Sequence, residues 1–235
     1  FEKLRRVNYE WPVCSPSTGR VERSFSLPFP NSPQHSKQAF RDDFDSETLN
    51  LEWNFRRVPQ KGTYTINDND GYLRLFSSKN VIGDRKGCSL LGIRQKESDF
   101  EFSASMLFDP TSQGVQAGIS LFQKDDNYFT FTVEKNRNQH VLELLLKERK
   151  NEPVVIQRKS IGPYNGSITF KVISENNSYK FYYSWDISNG FKAFAETSAD
   201  KILSKGYTGA YLGLYCTNNG KNVKEYADFD WVELN

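Results

Sequence analysis

The sequence predicts an all-β protein, a sandwich or jelly roll built from two antiparallel sheets. Aromatic residues are abundant, with 18 Phe, 12 Tyr and 4 Trp against a single Met, and aromatic and β-branched residues favour strands. From Ala39 onward, about fifteen short strand-like runs follow one another. The only helix-like segment is a short turn at residues 199–204 (ADKILS). Strands without intervening helices indicate a sandwich or jelly roll and not a doubly wound sheet.

The two ends of this strand-rich region carry related phrases. Residues 42–59 (DDFDSETLNLEWNFRRVP) and residues 228–232 (DFDWV) both alternate acidic and aromatic side chains. A period of two places one kind of side chain on each face of a strand, so each phrase predicts a strand with one buried face. A sandwich whose first and last strands are neighbours would bring the two phrases together.

Turn signals separate the predicted strands. Residues 68–71 (DNDG) join two strand-like runs and predict a hairpin. Further turns are predicted at 136–138 and 176–177, where asparagines cluster, and at Asn189-Gly190. The predicted strands between and around these turns include TYTIN, YLRLF, DFEFSASMLF, YFTFTVE, HVLELLLKE, SITFKVI, YKFYYSWD and FKAFAE.

Composition divides the chain into two parts. Residues 1–38 are rich in proline and serine and show no sustained periodicity, which predicts an irregular linker or wrapping arm. Residues 39–235 have the size of one β-sandwich domain. The chain starts at Phe1 without a signal-like segment, so a processed protein or a fragment of a longer one is expected.

The charge pattern argues against several classes of partner. The net charge is +2, from 31 basic and 29 acidic residues that are well mixed. No basic block stands out, so neither nucleic-acid binding nor attachment to a membrane surface is predicted. No run approaches the roughly 18 apolar residues of a membrane-spanning helix. The compartment is not fixed by the sequence, and a periplasmic or extracellular location is favoured over the cytoplasm.

Cysteines and histidines offer little catalytic chemistry. Cys14, Cys88 and Cys216 are widely spaced and form no CxxC pair, so neither a zinc site nor a disulfide framework is predicted. Cys88 and Cys216 could approach each other, although small buried residues are the preferred interpretation. His35 and His140 lie in no nucleophile motif, which argues against histidine-dependent hydrolysis.

A carboxylate triplet suggests one enzymatic hypothesis. Glu97, Asp99 and Glu101 alternate along the sequence, and on one strand face they would lie about 6 to 7 Å apart. Retaining glycosidases need two carboxyl groups about 5 to 5.5 Å apart. A stand-alone glycosidase similar to laminarinase-like glucanases is therefore one hypothesis. A solvated outer strand face is the preferred interpretation.

Acidic residues near both ends raise the possibility of a structural calcium ion. Asp42, Asp43 and Asp45 belong to the first phrase, and Asp228 and Asp230 belong to the last one. Calcium takes six to eight oxygen ligands, several from carboxylates. If a site exists, Asp43 and Asp228 are the favoured ligands. The competing interpretation is a set of solvated acids on edge strands.

One predicted sheet face is polar enough to bind carbohydrate. Gln116 and Ser120 share a face of one strand, and Tyr128 lies on the matching face of the next. Arg94, at the end of CSLLGIR, could add hydrogen-bond donors. The competing interpretation is an ordinary solvated sheet face.

An ordered series of motifs resembles a known domain. The chain from 39 to 235 is similar to the C-terminal concanavalin A-like β-sandwich of glycoside hydrolase family 43 β-xylosidases. Residues 1–38 also fit, because RRVNYEWPVCSPSTGRV resembles the segment that leaves the five-bladed propeller of those enzymes. The other motifs that carry the resemblance are DDFDSETLNLEWNFRRVP, GYLRLFSS, SLLGIRQKESDFEFSASMLFDP, QAGISLFQKDDNYFTF, GYTGAYLGLYCTNNG and YADFDWVEL.

The resemblance implies a non-catalytic accessory domain. The complete protein would hydrolyse β-1,4-xylosyl or α-L-arabinofuranosyl bonds with acids of an upstream propeller, on which this chain would pack. Loop 77–87 would correspond to the family's pocket loop, with Asn80 and Arg85 but no aromatic side chain, and Glu97, Asp99 and Glu101 would not be catalytic. The alternative is an autonomous carbohydrate-binding module for xylan-like glycans.

Overall fold

A computed structural model describes residues 18–22, 39–162, 164–203, 205 and 208–235. Residues 39–235 form one compact unit. The all-β prediction is confirmed, because this unit consists mainly of antiparallel strands. Most of the predicted arm lies outside the described residues, so its irregular structure stays a prediction. No helix within the described ranges is long and apolar enough to cross a membrane.

The described residues form fifteen strands in two sheets. One sheet has the order β13-β12-β11-β6-β15-β4-β3, with β1 also paired to β15, and the other has the order β10-β9-β8-β7-β14-β5-β2. The strands are β1 (Phe40–Asp42), β2 (Asn54–Phe55), β3 (Tyr64–Thr65), β4 (Leu73–Phe76), β5 (Ser89–Arg94), β6 (Phe100–Leu107), β7 (Gln116–Lys124), β8 (Asn127–Asn136), β9 (Gln139–Glu148), β10 (Val154–Ile161), β11 (Ser167–Glu175), β12 (Ser178–Ser184), β13 (Lys192–Ser198), β14 (Tyr211–Thr217) and β15 (Tyr226–Leu234).

The first and last strands are neighbours, as predicted, but most of the first phrase is not a strand, because β1 ends at Asp42 and residues 43–53 contain only turns, bends and irregular backbone. β1 pairs antiparallel with β15, and Phe40 lies opposite Leu234. Asp42, the last residue of β1, then organises the segment that follows. Its carboxylate accepts hydrogen bonds from the Trp53 indole (2.7 Å) and from the Phe44 backbone N–H (3.0 Å). Hydrogen bonds to an ionised acceptor are among the stronger ones, so Asp42 holds both aromatic residues against the core.

Aromatic side chains fill the space between the sheets. Alternation along β8 directs Phe129 and Phe131 inward, and both are fully buried. The Phe131 ring centroid lies 4.9 Å from Phe170, 5.0 Å from Phe194 and 5.6 Å from Phe181. Tilted and edge-to-face contacts of this kind add to the free energy gained by burial. The core is therefore specified by ring packing across the two inner faces.

Several smaller predictions are also confirmed. β3 and β4 form the predicted hairpin, and Gly71 has the left-handed φ of 75° between them. The turn predicted in ADKILS is a 3₁₀ helix at Ala199–Lys201. Cys216 is fully buried, as predicted, whereas Cys88 is only partly buried. Cys14 lies outside the described residues.

His140 is partly buried beside the Tyr164 ring and gives a pH-dependent prediction. Its ring centroid is 4.7 Å from that of Tyr164, and its Nε2 is 3.4 Å from the exposed Asp109 carboxylate. Burial lowers the pKa of His140 and Lys135 lowers it further, whereas Asp109 raises it. The net direction is downward, so the folded protein binds this proton less tightly than the unfolded chain does.

Stability should therefore fall as the pH decreases through about 6.5, the value of an unperturbed histidine, toward the lower folded-state pKa. His140→Gln should remove this contribution. The measurement is urea unfolding of both proteins between pH 8 and pH 5. An equal loss of stability in the variant over that range would show that other groups cause it.

Candidate functional site

The residues predicted to bind carbohydrate share one face of a sheet. Gln116, Ser120 and Tyr128 lie on the outer face of the seven-stranded sheet, since the alternate residues of β7 and β8 enter the core. Ser120 lies opposite Thr130, and Tyr128 lies opposite Phe122. This part of the prediction is confirmed.

The predicted exposure of this face is wrong for two of the residues. Tyr128 is 5% exposed and Ser120 is fully buried. Tyr128 packs in a small cluster with Ile82 of loop 77–87, and burial raises the pKa of its phenol to about 12. Ser120 donates a hydrogen bond to the Phe129 carbonyl at 2.8 Å. Both side chains have protein partners and are shielded from solvent, and carbohydrate binding by them stays a prediction.

Gln116 and Arg94 keep more contact with solvent. Gln116 is half-buried and donates from Nε2 to a Glu134 carboxylate oxygen at 2.9 Å. Arg94 is exposed, and its guanidinium lies 5.1 Å from the centroid of the Tyr211 ring. Carbohydrate binding by these two residues stays a prediction.

Two acidic residues on this face, Glu134 and Glu143, form ion pairs within the protein. Glu134 and Glu143 are 8% and 5% exposed, and Arg158 forms ion pairs with both. Burial raises the pKa of Glu143, and the neighbouring Glu134 adds to that effect. The shared guanidinium compensates two carboxylates that would otherwise be costly to bury. These contacts do not leave the two acids open to a substrate.

Loop 77–87 is closed on itself and anchored to the sheet. Asn80 donates from Nδ2 to the Gly87 carbonyl at 2.8 Å, which closes the loop. Ile82 is fully buried in the cluster with Tyr128. Arg85 has a left-handed backbone with φ of 55° and an exposed side chain. The predicted loop residues thus differ in role, since Asn80 fixes the loop and Arg85 faces solvent.

Arg85 borders a pocket at one end of the outer face. The pocket has a volume of about 520 Å³. The Arg56 side chain is only 3% exposed, and it donates to the Asp125 carboxylate from Nε (2.8 Å) and Nη2 (2.6 Å). Its Nη1 donates to the Lys86 carbonyl at 2.7 Å. Arg57 approaches the other Asp125 oxygen at 3.3 Å. Asp125 is therefore held in place from two sides.

The rest of the pocket wall combines rings with an amide. Phe122 and Tyr211 lie opposite each other on neighbouring strands and both line the pocket. Gln123 lies at a break in the β7–β8 register and is 2% exposed. Its Nε2 donates to the Thr208 carbonyl at 2.8 Å, whereas its Oε1 has no hydrogen-bond partner among the described residues. Such bulges commonly redirect side chains beside functional sites.

Sequence reasoning missed this pocket. The available signals are two charged doublets, Arg56-Arg57 and Asp125-Asp126, each close to a strand end. They are 69 positions apart in the chain, and nothing in either doublet indicates that it meets the other.

The carboxylate triplet does not lie on one strand face. Glu97 and Asp99 precede β6, and of the three only Glu101 belongs to that strand. Glu101 forms an ion pair with Lys171 on β11. The predicted succession of three strand carboxylates is therefore wrong, because the extended run begins three residues later than the alternation suggested.

The two favoured calcium ligands have cationic partners. Asp228 is 6% exposed and accepts hydrogen bonds on both oxygens from Arg74, at 2.7 and 2.8 Å. Asp43 accepts two from Arg41, at 2.6 and 3.1 Å. No group of three or more His, Cys, Asp or Glu side chains suited to a metal ion occurs in the described part of the chain. Calcium binding stays a prediction.

Thermal unfolding tests that prediction directly. A calcium ion held by Asp43 and Asp228 would raise the Tm by several degrees in roughly 5 mM calcium compared with a chelator, because a ligand that binds only the folded state stabilises it. Asp43→Asn should abolish the increase. An unchanged Tm in the unsubstituted protein would refute the site.

The fold and the family follow from comparison with known proteins. The two packed antiparallel sheets are those of a concanavalin A-like β-sandwich. The family model described as the beta xylosidase C-terminal concanavalin A-like domain matches residues 41–235, and the chain belongs to that family. The resemblance stated from the sequence motifs is confirmed.

Individual relatives are glycosidases. The chain is 28% identical over 230 residues to a non-reducing end alpha-L-arabinofuranosidase of Bacteroides ovatus, covering 95% of this chain and 42% of the relative. It is 25% identical to a xylosidase/arabinosidase of Butyrivibrio fibrisolvens, covering 98% of this chain and 45% of that protein. The chain thus spans less than half the length of these relatives.

Solved structures agree on the fold. The Bacteroides ovatus xyloglucan PUL GH43B structure superposes with a TM-score of 0.77 at 26% identity, over 88% of this chain and 41% of that one. A xylan beta-1,4-xylosidase from Bacillus halodurans gives a TM-score of 0.76 at 18% identity, over 91% and 41% of the two chains. The second likeness supports the fold alone.

Proposed function

We propose that this chain is the non-catalytic accessory β-sandwich of a family 43-like glycosidase of the β-xylosidase or α-L-arabinofuranosidase type. In this role it packs on an upstream catalytic propeller and supports it. The observation that carries the proposal is the match to a family of C-terminal domains by a chain that spans less than half of its relatives. The positions of Glu97 and Asp99 before β6, together with the ion pair between Glu101 and Lys171, favour this role over a stand-alone glycosidase.

The proposal assigns loop 77–87 to the side that meets the catalytic domain. Asn80 closes this loop and Ile82 anchors it, so the loop has a defined shape before any partner is present. A preformed surface loses less conformational entropy on association than a loose one. The proposal also includes a periplasmic or extracellular location, where polymeric glycans are accessible.

Separating the two parts of the parent protein tests this role. The catalytic portion and this chain would be produced as independent polypeptides, alone and mixed. We expect the catalytic portion to unfold at a lower temperature by itself and to regain stability when this chain is added. The measurements are the Tm, co-elution on a sizing column, and hydrolysis of 4-nitrophenyl β-D-xyloside and α-L-arabinofuranoside.

Two outcomes would contradict the proposal. Hydrolysis by this chain alone would show a catalytic role, and Glu101→Gln would then report whether the carboxylate triplet takes part. A catalytic portion that is equally stable and active with and without this chain would argue against a supporting role.

A further inference from the structure

We infer that the pocket beside Asp125 binds an acidic sugar, meaning a glycan unit that carries a carboxylate. The Asp125 pocket is defined by Arg56, Arg57, Arg85, Gln123 and Asp125 together with the Phe122 and Tyr211 rings. Its volume of about 520 Å³ lies within the range of ordinary ligand pockets, roughly 300 to 1,000 Å³. This inference goes beyond the supporting role proposed above. Because Arg85 belongs to loop 77–87, which that role turns toward the catalytic domain, the test is made on this chain alone, and its failure would leave the supporting role standing.

The pocket contains polar groups that are fixed before a ligand arrives. Arg56 is almost completely buried and holds Asp125 with two hydrogen bonds to one oxygen, while Arg57 approaches the other oxygen. An ionised carboxylate has about four lone-pair positions, so Asp125 retains capacity to accept hydrogen bonds from sugar hydroxyls. Because the carboxylate is already ordered, its immobilisation adds little to the cost of binding.

Gln123 provides an independent indication of a ligand. It is 2% exposed and lines the pocket, and its Oε1 has no hydrogen-bond partner in the described part of the chain. A buried acceptor left without a donor costs about 1 to 3 kcal/mol. A sugar hydroxyl in the pocket would supply that donor, and the amide cannot rotate freely because its Nε2 is bonded to Thr208.

The two rings supply the apolar part of a sugar site. Phe122 and Tyr211 face the pocket from adjacent strands, and Gly92 lines it between their strands and β2. A Cβ at Gly92 would lie 3.1 Å from the Leu212 carbonyl oxygen and 3.3 Å from the Tyr211 Cβ, so the glycine allows β5 and β14 to approach closely. A sugar ring has C–H faces that pack on aromatic surfaces and hydroxyl edges that need hydrogen bonds, and this wall offers both.

The charge of the pocket indicates a carboxylate on the sugar. Four cationic side chains and two anionic ones line it, which leaves two positive charges in excess. Arg56 is committed to Asp125, whereas Arg57 makes one long contact at 3.3 Å. Arg85 is exposed and forms no ion pair with the described residues. A guanidinium fork matches a carboxylate in shape. Asp125 and Asp126 would repel a doubly charged phosphate in the pocket more strongly than a singly charged carboxylate.

Calorimetric titration of the 235-residue chain tests the inference. The probe is a xylo-oligosaccharide carrying one glucuronic acid, and its matched control is the same oligosaccharide without the acid. We expect saturable binding of the acidic probe that is at least tenfold tighter than that of the neutral one. Affinity should fall as salt is added, because exposed charges are screened.

Substitutions at the rim locate the site. Arg85→Gln and Arg57→Gln should each weaken binding of the acidic probe at least fivefold and leave the Tm unchanged, since both side chains reach solvent. Lys150→Gln removes the same charge from an exposed turn outside the pocket and should leave affinity unchanged. Equal affinity for the two oligosaccharides, no binding of either, or full affinity in both arginine variants would each overturn the inference.

Discussion

Replacing Phe131 with alanine is expected to destabilise the sandwich by about 4 kcal/mol, within the range found for large aromatic residues in protein cores. Phe131 is fully buried, and its ring contacts Phe170, Phe181 and Phe194 from three other strands. Removing it leaves a cavity between the sheets, because rings held by their own strands cannot collapse far into the space. The measurement is urea unfolding followed by intrinsic fluorescence.

Leu107→Ala is the matched control. Leu107 is the last residue of β6 and is 42% exposed, so its loss should cost less than about 1 kcal/mol. A loss of less than about 2 kcal/mol for Phe131→Ala would mean that the core tightens around the gap and is less rigid than its ring contacts indicate.

Gly118→Ala is expected to destabilise the protein by about 3 kcal/mol, the upper part of the range for an added group in a closely packed structure. A Cβ at Gly118 would lie 2.2 Å from the Phe131 carbonyl oxygen and 2.9 Å from the Thr132 Cα. Both are backbone atoms of β8, so relief requires the two strands to separate. Thermal and urea unfolding would measure the loss.

Gly87→Ala provides the comparison for this substitution. A Cβ at Gly87 would have no heavy atom within 4 Å, and Gly87 does not have a left-handed backbone. The free energy of unfolding of the Gly87→Ala variant should stay within about 0.5 kcal/mol of that of the unsubstituted protein. If the two alanine variants were equally stable, the close approach of β7 and β8 at Gly118 would not be rigid.

Strands and their neighbours were largely predictable, because their signals are local. The period-two alternation in β6, β7 and β8 assigns each side chain to a face. Turn residues such as Gly71 mark where the chain reverses. The related phrases at the two ends led to the correct prediction that the first and last strands pair, although β1 shares only Asp42 with the first phrase.

The functional surface was less predictable, because alternation gives the face of a side chain but not what covers it. Tyr128 lies on the predicted face, yet Ile82 from a loop 46 positions earlier packs against its cluster. The Arg56–Asp125 pair depends on the close approach of two loops at the end of the seven-stranded sheet. Glu97 and Asp99 were wrongly placed on a strand, because the alternation of residue types extends beyond the point where β6 begins.

The pairing of Phe40 with Leu234 has a mechanical consequence. Phe40 and Leu234 lie at the same end of the antiparallel pair β1–β15. Pulling these two residues apart would therefore break the hydrogen bonds between the strands one after another, starting from that end. A ladder loaded in this direction yields at lower force than one sheared along its length. β1 is three residues long, so it would detach before the rest of the eight-stranded sheet is disturbed. The same closeness allows Phe40 and Leu234 to be joined by a short linker, with new termini opened at a surface turn such as residues 136–138.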